Sequence, residues 1–441
     1  MRKATRGFLA NSTLLLVAIA VSLGILECGS PLLHRAITGR CFDREEALGA
    51  VGAAWQFPPA ETTVADIGMT YEHVLHPYVG FVGYHSPTQL QGGPHYVNSY
   101  GFNGLDPVQK RSAGTLIVGI FGGSVANIMY EVSQNHIIDR FRELYPARQV
   151  KLVCGAMAGY KQPQQLMALT YFLALGSEFD VVVSIDGFNE VGLPYQENVL
   201  AGVNPYFPRS WNAYARKALD KRTVYKVSEI SRIQDHRMNL ARLSNSPVLR
   251  RSSFAVMALQ RFDERASGRL KRLNADIQAI LTEERSRDFQ VTGPEFNFTS
   301  LDQLFDQLVE IWSSSSRQMA RLARANGFRY YHFLQPNQYD QGSKVLTENE
   351  LTRAYLPHHP WRMAGARGYP RLRAAGIALS ESGVAFADLS MLFRDVPGDI
   401  YADNCCHYND VGNRMLAVAV MDVITADLKT RGLAEVQRES P

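Results

Sequence analysis

No two cysteines in this sequence have the spacing of a metal site. The five stand at Cys28, Cys41, Cys154, Cys405 and Cys406. Neither Cys-x-x-Cys nor His-Glu-x-x-His occurs, so no metal is expected, and nothing calls for a cofactor. The odd count defines no disulfide pairing. HVLH at 73–76 and the pair His358–His359 read as packing or surface histidines. Charge of one sign is scarce too. The 46 Lys and Arg stand against 42 Asp and Glu, leaving a net +4, which does not argue for nucleic acid as a partner. Internal repeats and low-complexity tracts are absent, which removes repeat architectures from consideration. What remains is ordinary globular composition, 46% hydrophobic and 20% charged over 441 residues, enough for one large domain or two smaller ones.

The N-terminus departs from that composition. Arg2, Lys3 and Arg6 precede a stretch, Phe8 to Leu26, that carries no charge. Its length suits a helix crossing a bilayer core, and the flanking positives favour an N-terminus on the cytoplasmic side. The exit reads ILECGS. Glu27 before Cys28 suits neither signal peptidase nor a lipoprotein signal, both of which want a small residue there. An uncleaved anchor at 1–29 is therefore expected over a cleaved signal, with the rest of the chain outside the cytoplasmic membrane.

Residues 30–97 read as a juxtamembrane linker followed by an irregular, β-rich segment of turns. The chain then alternates. TLIVGIF (115–121), VKLVCG (150–155), FDVVVSIDG (179–187), RYYHFLQP (329–336) and VAFADLSMLF (384–393) are apolar runs of the kind buried on both faces of a parallel sheet. Helical patterns separate them at 136–144, 163–175, 301–326 and 369–382, and a last helix spans about 412–428. Strand and helix alternating at this spacing imply right-handed βαβ units. The expected fold is α/β, a three-layer α/β/α sandwich around about five parallel strands. Residues 194–300 break the rhythm with amphipathic helical segments and read as a helical insertion in a domain spanning 98–435. From Arg209 to Arg272 there are 16 Lys or Arg and 5 Asp or Glu, a surplus of 11. A solvated face is the common source of such a run. Beside a membrane anchor, contact with anionic lipid or acidic glycan is the second reading.

Sites in parallel sheets gather at the carboxyl ends of strands, and four ends carry marked residues. Gly122-Gly123-Ser124 follows the first strand, Gly155 to Gly159 the second, and Asp186-Gly187-Phe188-Asn189-Glu190 the third. DNCCHYNDVGN (403–413) lies beyond the fifth. Serine, glycine, asparagine and histidine in that order are the parts of a serine ester-transfer site. The stretch around Ser124 is not Gly-x-Ser-x-Gly, because Ala126 occupies the last position, so the α/β-hydrolase elbow is not met.

These residues resemble the SGNH, or GDSL, hydrolases over roughly 98–428. FGGSVAN is similar to that family's first block, GAMAGYKQPQQL to the second, DGFNE to the third and DNCCHYNDVGN to the fourth. The resemblance implies a flavodoxin-like sheet, Ser124 as nucleophile and His407 as its base. It also implies an oxyanion site built from the amides of Ser124 and Gly159 and the side chain of Asn189. A serine hydroxyl needs a base to become nucleophilic, and a neutral imidazole can serve near neutral pH. Three departures stand out. Gly-Gly-Ser replaces Gly-Asp-Ser, Glu190 replaces an aspartate, and the position three before the histidine is Asn404. Asp403, one residue earlier, is taken as the acid, because only a carboxylate stabilises an imidazolium. Ser124 has a bland alternative as a helix N-cap, Asn189 as a turn residue, His407 as a structural histidine, and Cys405 and Cys406 as structural thiols. Tyr100, Phe102 and Asn103 read as a flap near the pocket. The expected activity is ester hydrolysis or O-acyl transfer through an acyl-Ser124. Related anchored domains imply an envelope or exported glycan as substrate or acceptor, with the protein a single-pass resident of a bacterial inner membrane, anchored through 8–26 and facing the periplasm. The rival reading is a catalytically silent carbohydrate-binding or assembly factor that keeps the fold.

Overall fold

The computed structural model describes residues 21–22, 24–52, 73–84, 96–219, 221–283 and 289–433. They divide into two compact units. One comprises the described parts of Ile67–Ala215 and Ser286–Pro441, the other those of Met1–Asp66 and Arg216–Arg285.

The larger unit is built on a sheet. Strands β1 (His73–His76) and β2 (Gly80–Gly83) pair as an antiparallel hairpin. Strands β3 (Thr115–Gly122), β4 (Gln149–Cys154), β5 (Val181–Asp186), β6 (Arg329–Leu334) and β7 (Ala385–Asp388) form one parallel sheet in the order β4-β3-β5-β6-β7. The α/β class and the five parallel strands are those read from the sequence. The reason is burial: β5 is buried at every position and β3 at all but its first, so both had to be continuous apolar runs.

Six helices position the site: α1 (Ser124–Leu144), α2 (Gln164–Ala174), α3 (Phe188–Leu193), α4 (Leu301–Asn326), α5 (Pro360–Glu381) and α6 (Asp410–Arg431). Helix α1 packs on α6 and against β3, β4 and β5, while α2, α3 and α5 pack around α4. The chain steps outward from β3 to β4, then back past β3 to β5. Right-handed crossovers in both directions put α1 and α2 on opposite faces of the sheet. The direction reverses between β3 and β5, and sheets of this kind place their sites at the carboxyl ends of the strands at such a reversal. Ser124 follows β3 directly, and the Gly187–Glu190 turn follows β5.

Several sequence expectations need correction here. Helix α5 starts at Pro360, well before Tyr369, and carries Pro370 inside it. The burial of Ala364, Tyr369, Leu372 and Leu379 holds it helical across a residue that ordinarily marks a first turn. Strand β7 stops at Asp388, whose carboxylate accepts from the Ser390 amide at 2.8 Å and starts a turn. Residues 389–393 therefore leave the sheet. The insertion is narrower than 194–300, since 194–215 and 286–300 stay with the sheet unit.

The smaller unit is helical. Residues expected as a linker are helical at 30–38 and Arg44–Gly52. The second of these packs on Lys221–Ser244 and Ser253–Glu283, with Val51, Leu240 and Leu259 forming a buried cluster. Ala47 and Val51, one turn apart and both buried, give an otherwise polar segment the inward face it needs. The Glu27 carboxylate accepts from the Ser252 hydroxyl and the Ser253 amide, each at 2.5 Å. It thereby places an anion at a helix N-terminus. Several of this unit's cations are paired, among them those of Arg237–Asp263, Lys226–Asp276, Arg269–Glu229 and Arg261–Glu264. Among the described residues no helix is long and apolar enough to cross a membrane. The expected span at 8–26 lies mostly outside the described residues, which begin at 21.

Candidate active site

The turn that carries Ser124 is possible only with glycines. Gly122 has φ +149°, and a Cβ there would lie 2.2 Å from the Ile185 carbonyl oxygen. A Cβ on Gly123 would lie 2.3 Å from Asn189 Nδ2. Gly123, not Ser124, is the N-cap of α1, and the cap makes no side-chain bond. The N-cap alternative for Ser124 is thereby removed. Its half-buried side chain instead meets His407, with Oγ 2.7 Å from Nε2. Its amide stands in the first turn of α1, where N–H groups have no intrahelical partner and the helix end is positive.

On the other side of the ring, His407 Nδ1 contacts Asp403 Oδ2. The second oxygen, Oδ1, accepts from the amides of Cys405, Cys406 and His407 at 2.9, 3.1 and 3.2 Å. These bonds hold the carboxylate in one orientation. The backbone carbonyl of Asn404 accepts from the Tyr339 hydroxyl at 2.7 Å. The loop thus presents the residue four before the histidine, and Asp403 makes the contact expected of it. Residues just beyond β6 fasten the loop from outside: Asn337 donates to the Cys405 carbonyl and Gln338 to that of Asp403. Nothing in the sequence pattern pointed to them. Burial tends to lower the His407 pKa, but the charge and hydrogen bond of Asp403 outweigh it and raise it to about 9. Burial opposes ionisation of Asp403, yet the facing imidazole and the amide donors hold its pKa below the usual carboxylate value.

Gly159 and Asn189 come together with this turn. Gly159 has φ +81°, a conformation that glycine adopts without penalty. The next residue, Tyr160, accepts at its carbonyl from Asn189 Nδ2 at 2.8 Å, and the same amide group lies against Gly123. Glu190 fills its departure from the family pattern with a structural task. One of its oxygens accepts from the Gly187 amide at 2.8 Å, the other from the Gln162 amide at 3.1 Å and Gln165 Nε2 at 2.9 Å. It ties the turn after β5 to the loop after β4. Burial first, and then the charge of Asp186, push its pKa well up.

Of the flap residues, Tyr100 is half-buried. Phe102 is fully buried edge-on to Phe172, and Asn103 Nδ2 donates to Asn127 and Glu131 on α1. His73 packs on Phe81 and His76 on Tyr171. Cys405 and Cys406 are free thiols with sulfurs 3.3 Å apart. Among the described residues no group of three or more His, Cys, Asp and Glu side chains could hold a metal ion.

A second serine–histidine–aspartate chain exists. His332 Nδ1 is 2.8 Å from Ser316 Oγ, and its Nε2 is 2.8 Å from Asp186 Oδ1, which also accepts from Trp312 Nε1 at 2.6 Å. None of the four is more than 1% exposed. No substrate reaches this chain; it joins β5, β6 and α4 through satisfied buried polar groups. Exposure and strand-end position, not residue types alone, single out Ser124.

Comparison with known proteins adds little. No family model matches the chain, and none of the curated proteins does. Among solved structures it is similar to a catalytic mutant of an acetylxylan esterase from Geobacillus stearothermophilus. The identity is 10%, over 72% of this chain and 96% of that one, with a TM-score of 0.32. A likeness that slight bears no weight, and the reading rests on the site's own geometry.

The sequence pattern missed Arg209 and Glu197. Arg209 crosses directly over Gly159 and is paired with Glu197. It opens the Lys- and Arg-rich stretch, where nothing distinguishes it from a surface cation.

Proposed function

We propose that this protein is a serine-dependent acyl-ester hydrolase or O-acyltransferase with a three-layer SGNH-type domain. One observation carries the reading: a half-exposed serine at a strand end, in hydrogen-bond line with a histidine and an oriented carboxylate. His407 Nε2 takes the Ser124 proton as Oγ attacks the ester carbonyl. The tetrahedral oxyanion is met by the Ser124 and Gly159 amides and the Asn189 side chain. His407 then protonates the departing alkoxide, leaving acyl-Ser124 and a free alcohol. Water or a sugar hydroxyl, deprotonated by the same histidine, attacks the acyl-enzyme and restores Ser124. Asp403 stays ionised throughout and stabilises the imidazolium.

An envelope or exported glycan as substrate or acceptor belongs to the same proposal. It is supported by the basic leader and the uncharged run at 8–26, which would anchor the chain with its domains outside the membrane. The basic helical unit would then face anionic lipid or acidic glycan. A fluorophosphonate probe tests the central claim. Labelling at Ser124, lost in Ser124→Ala, is the expected result. A folded protein that stays unlabelled and turns over no short acyl ester would instead be the silent glycan-binding factor.

A further inference from the structure

We propose that Arg209, held by Glu197, is a positioning residue for the Gly159 arm of the oxyanion site. The proposal rests on the reading of Ser124 as nucleophile and Gly159 as a donor to the oxyanion.

The contact itself is unusual for a cation in a basic stretch. A Cβ on Gly159 would lie 1.9 Å from Arg209 Cδ, 3.0 Å from Cγ and 3.1 Å from Nε. The arginine stem therefore lies across the glycine, on the spot a side chain would take. Gly159 has the freest backbone of any residue type, and a donor that is free to turn must be ordered at the moment of reaction. A stem packed on its Cα removes that freedom beforehand, which is the condition for effective oxyanion stabilisation.

The arginine is in turn fixed from several sides. Its Nε donates to Glu197 Oε2 at 2.9 Å and its Nη2 to Oε1 at 2.5 Å, a two-pronged fork. The Glu197 side chain is only 6% exposed. An anion so placed is tolerated because it is paired. Ser210 adds a third donor to Oε2 at 3.2 Å, and it does so from a buried left-handed conformation, φ +50°. A non-glycine residue holds that conformation only where its surroundings over-determine it, commonly at functional sites. Glu197 sits in a single π turn, Pro194–Asn198, another feature concentrated at such sites.

The loop carrying Arg209 is bound back to the Gly159 segment. Lys161, two residues beyond Gly159 and 1% exposed, donates to the carbonyls of Pro205 and Phe207 at 2.6 Å each. Buried Asn198 donates to those of Asn204, Phe207 and Pro208. The result is a closed circuit, from Gly159 through Lys161 to 205–207, on to Arg209 and back across Gly159. The guanidinium is also a fixed charge near the base. The groups that bear on His407 are Asp403, Cys405 and Arg209, and of these Arg209 disfavours the imidazolium.

The test is steady-state kinetics of the full chain on a neutral ester, p-nitrophenyl acetate, which offers Arg209 no anion to bind. In Arg209→Met the stem remains but the fork is lost. We expect kcat to fall by about 10- to 100-fold, the effect of one misplaced oxyanion donor, with KM changed by less than about threefold. The midpoint of the rising limb of kcat/KM against pH should move upward, because a positive charge near His407 is gone. Arg209→Lys keeps the charge without the fork; it should leave that midpoint in place and yet lose kcat. Glu197→Gln should lose kcat in the same way. A raised KM at unchanged kcat would make Arg209 a substrate clamp and overturn the proposal, as would wild-type kinetics in Arg209→Lys and Glu197→Gln. Should Arg209→Met fail to fold, those two milder variants decide alone. Fluorophosphonate labelling of the wild type separates the two levels. An unlabelled wild type removes the parent reading and this proposal with it, whereas a labelled wild type with indifferent variants removes this proposal only.

Discussion

Asparagine at position 403 would keep the shape of the catalytic loop and remove its charge. The Oδ1 acceptor for the amides of Cys405, Cys406 and His407 survives the change, so the loop should stay folded. What disappears is the anion against His407 Nδ1. The imidazole pKa is raised from 6.5 to about 9, with burial and Arg209 pulling it down and Asp403 chiefly holding it up. That difference corresponds to about 3 kcal/mol in favour of the imidazolium. It is an upper bound, because the Asp403 side chain is 41% exposed and solvent screens the pair. A base must start neutral, so kcat/KM of the wild type should rise with pH to a midpoint near 9. In Asp403→Asn the burial and Arg209 effects remain while the support is gone, and the midpoint should move down by as much as about two units, toward the ordinary value of 6.5. The plateau should fall by about 10⁴-fold, since the amide cannot stabilise the charged ring or hold its tautomer. The assay is hydrolysis of a short nitrophenyl ester from pH 5 to 10, corrected for spontaneous hydrolysis. The linkage is a second readout. A raised pKa contributes stability that is complete below pH 6.5 and lost as pH passes 9. The wild type should therefore lose stability relative to Asp403→Asn over that window. A variant whose midpoint stays near 9, or whose plateau is kept, would refute the assignment of Asp403; so would an equal loss in Asn404→Ala.

Other outcomes follow from the same geometry. Ser316→Ala, in the buried chain, should keep fluorophosphonate labelling and turnover while losing about 1–3 kcal/mol in a denaturant titration, because His332 is left with an unmet partner. Asn189→Ala should lower kcat by about 10²- to 10³-fold in ester turnover, the usual cost of one oxyanion donor. Gly159→Ala should lower kcat by at least about 100-fold with the far-ultraviolet circular dichroism spectrum unchanged, since the new Cβ would displace the Arg209 stem and strain the φ of +81° that this donor needs. A reporter enzyme fused to the C-terminus should be active only outside the cytoplasm; activity inside would remove the proposed address.

The parallel sheet was legible because its central strands, β3 and β5, are buried on both faces and so had to be unbroken apolar runs, as TLIVGIF and VVVSID are. Ser124 was legible for a related reason. A sharp exit from such a strand needs Gly122 and Gly123, and short-range sterics write that need into the local sequence. The helix Arg44–Gly52 was not legible, because its buried face consists of little more than Ala47 and Val51, and only the helices it packs on make them a core.

Charge favours Asp403 over Asn404 as the partner of the histidine, but which side chain meets the ring is decided in space. It depends on three amides converging on Oδ1 and on Tyr339 holding the Asn404 carbonyl, 65 positions away in the chain. The buried chain of Ser316, His332 and Asp186 has no local pattern at all, since its members are brought together by the pairing of β5 with β6 and by the helix that covers them. Arg209 is the plainest case. In one dimension it is one cation among the 16 between 209 and 272. Its contact with Gly159 and its fork to Glu197 arise only when a loop fastened by Lys161 and Asn198 folds back over the strand end. Local sterics and periodic burial can be read along a chain, whereas the direction in which a polar side chain points is set by partners that the sequence separates.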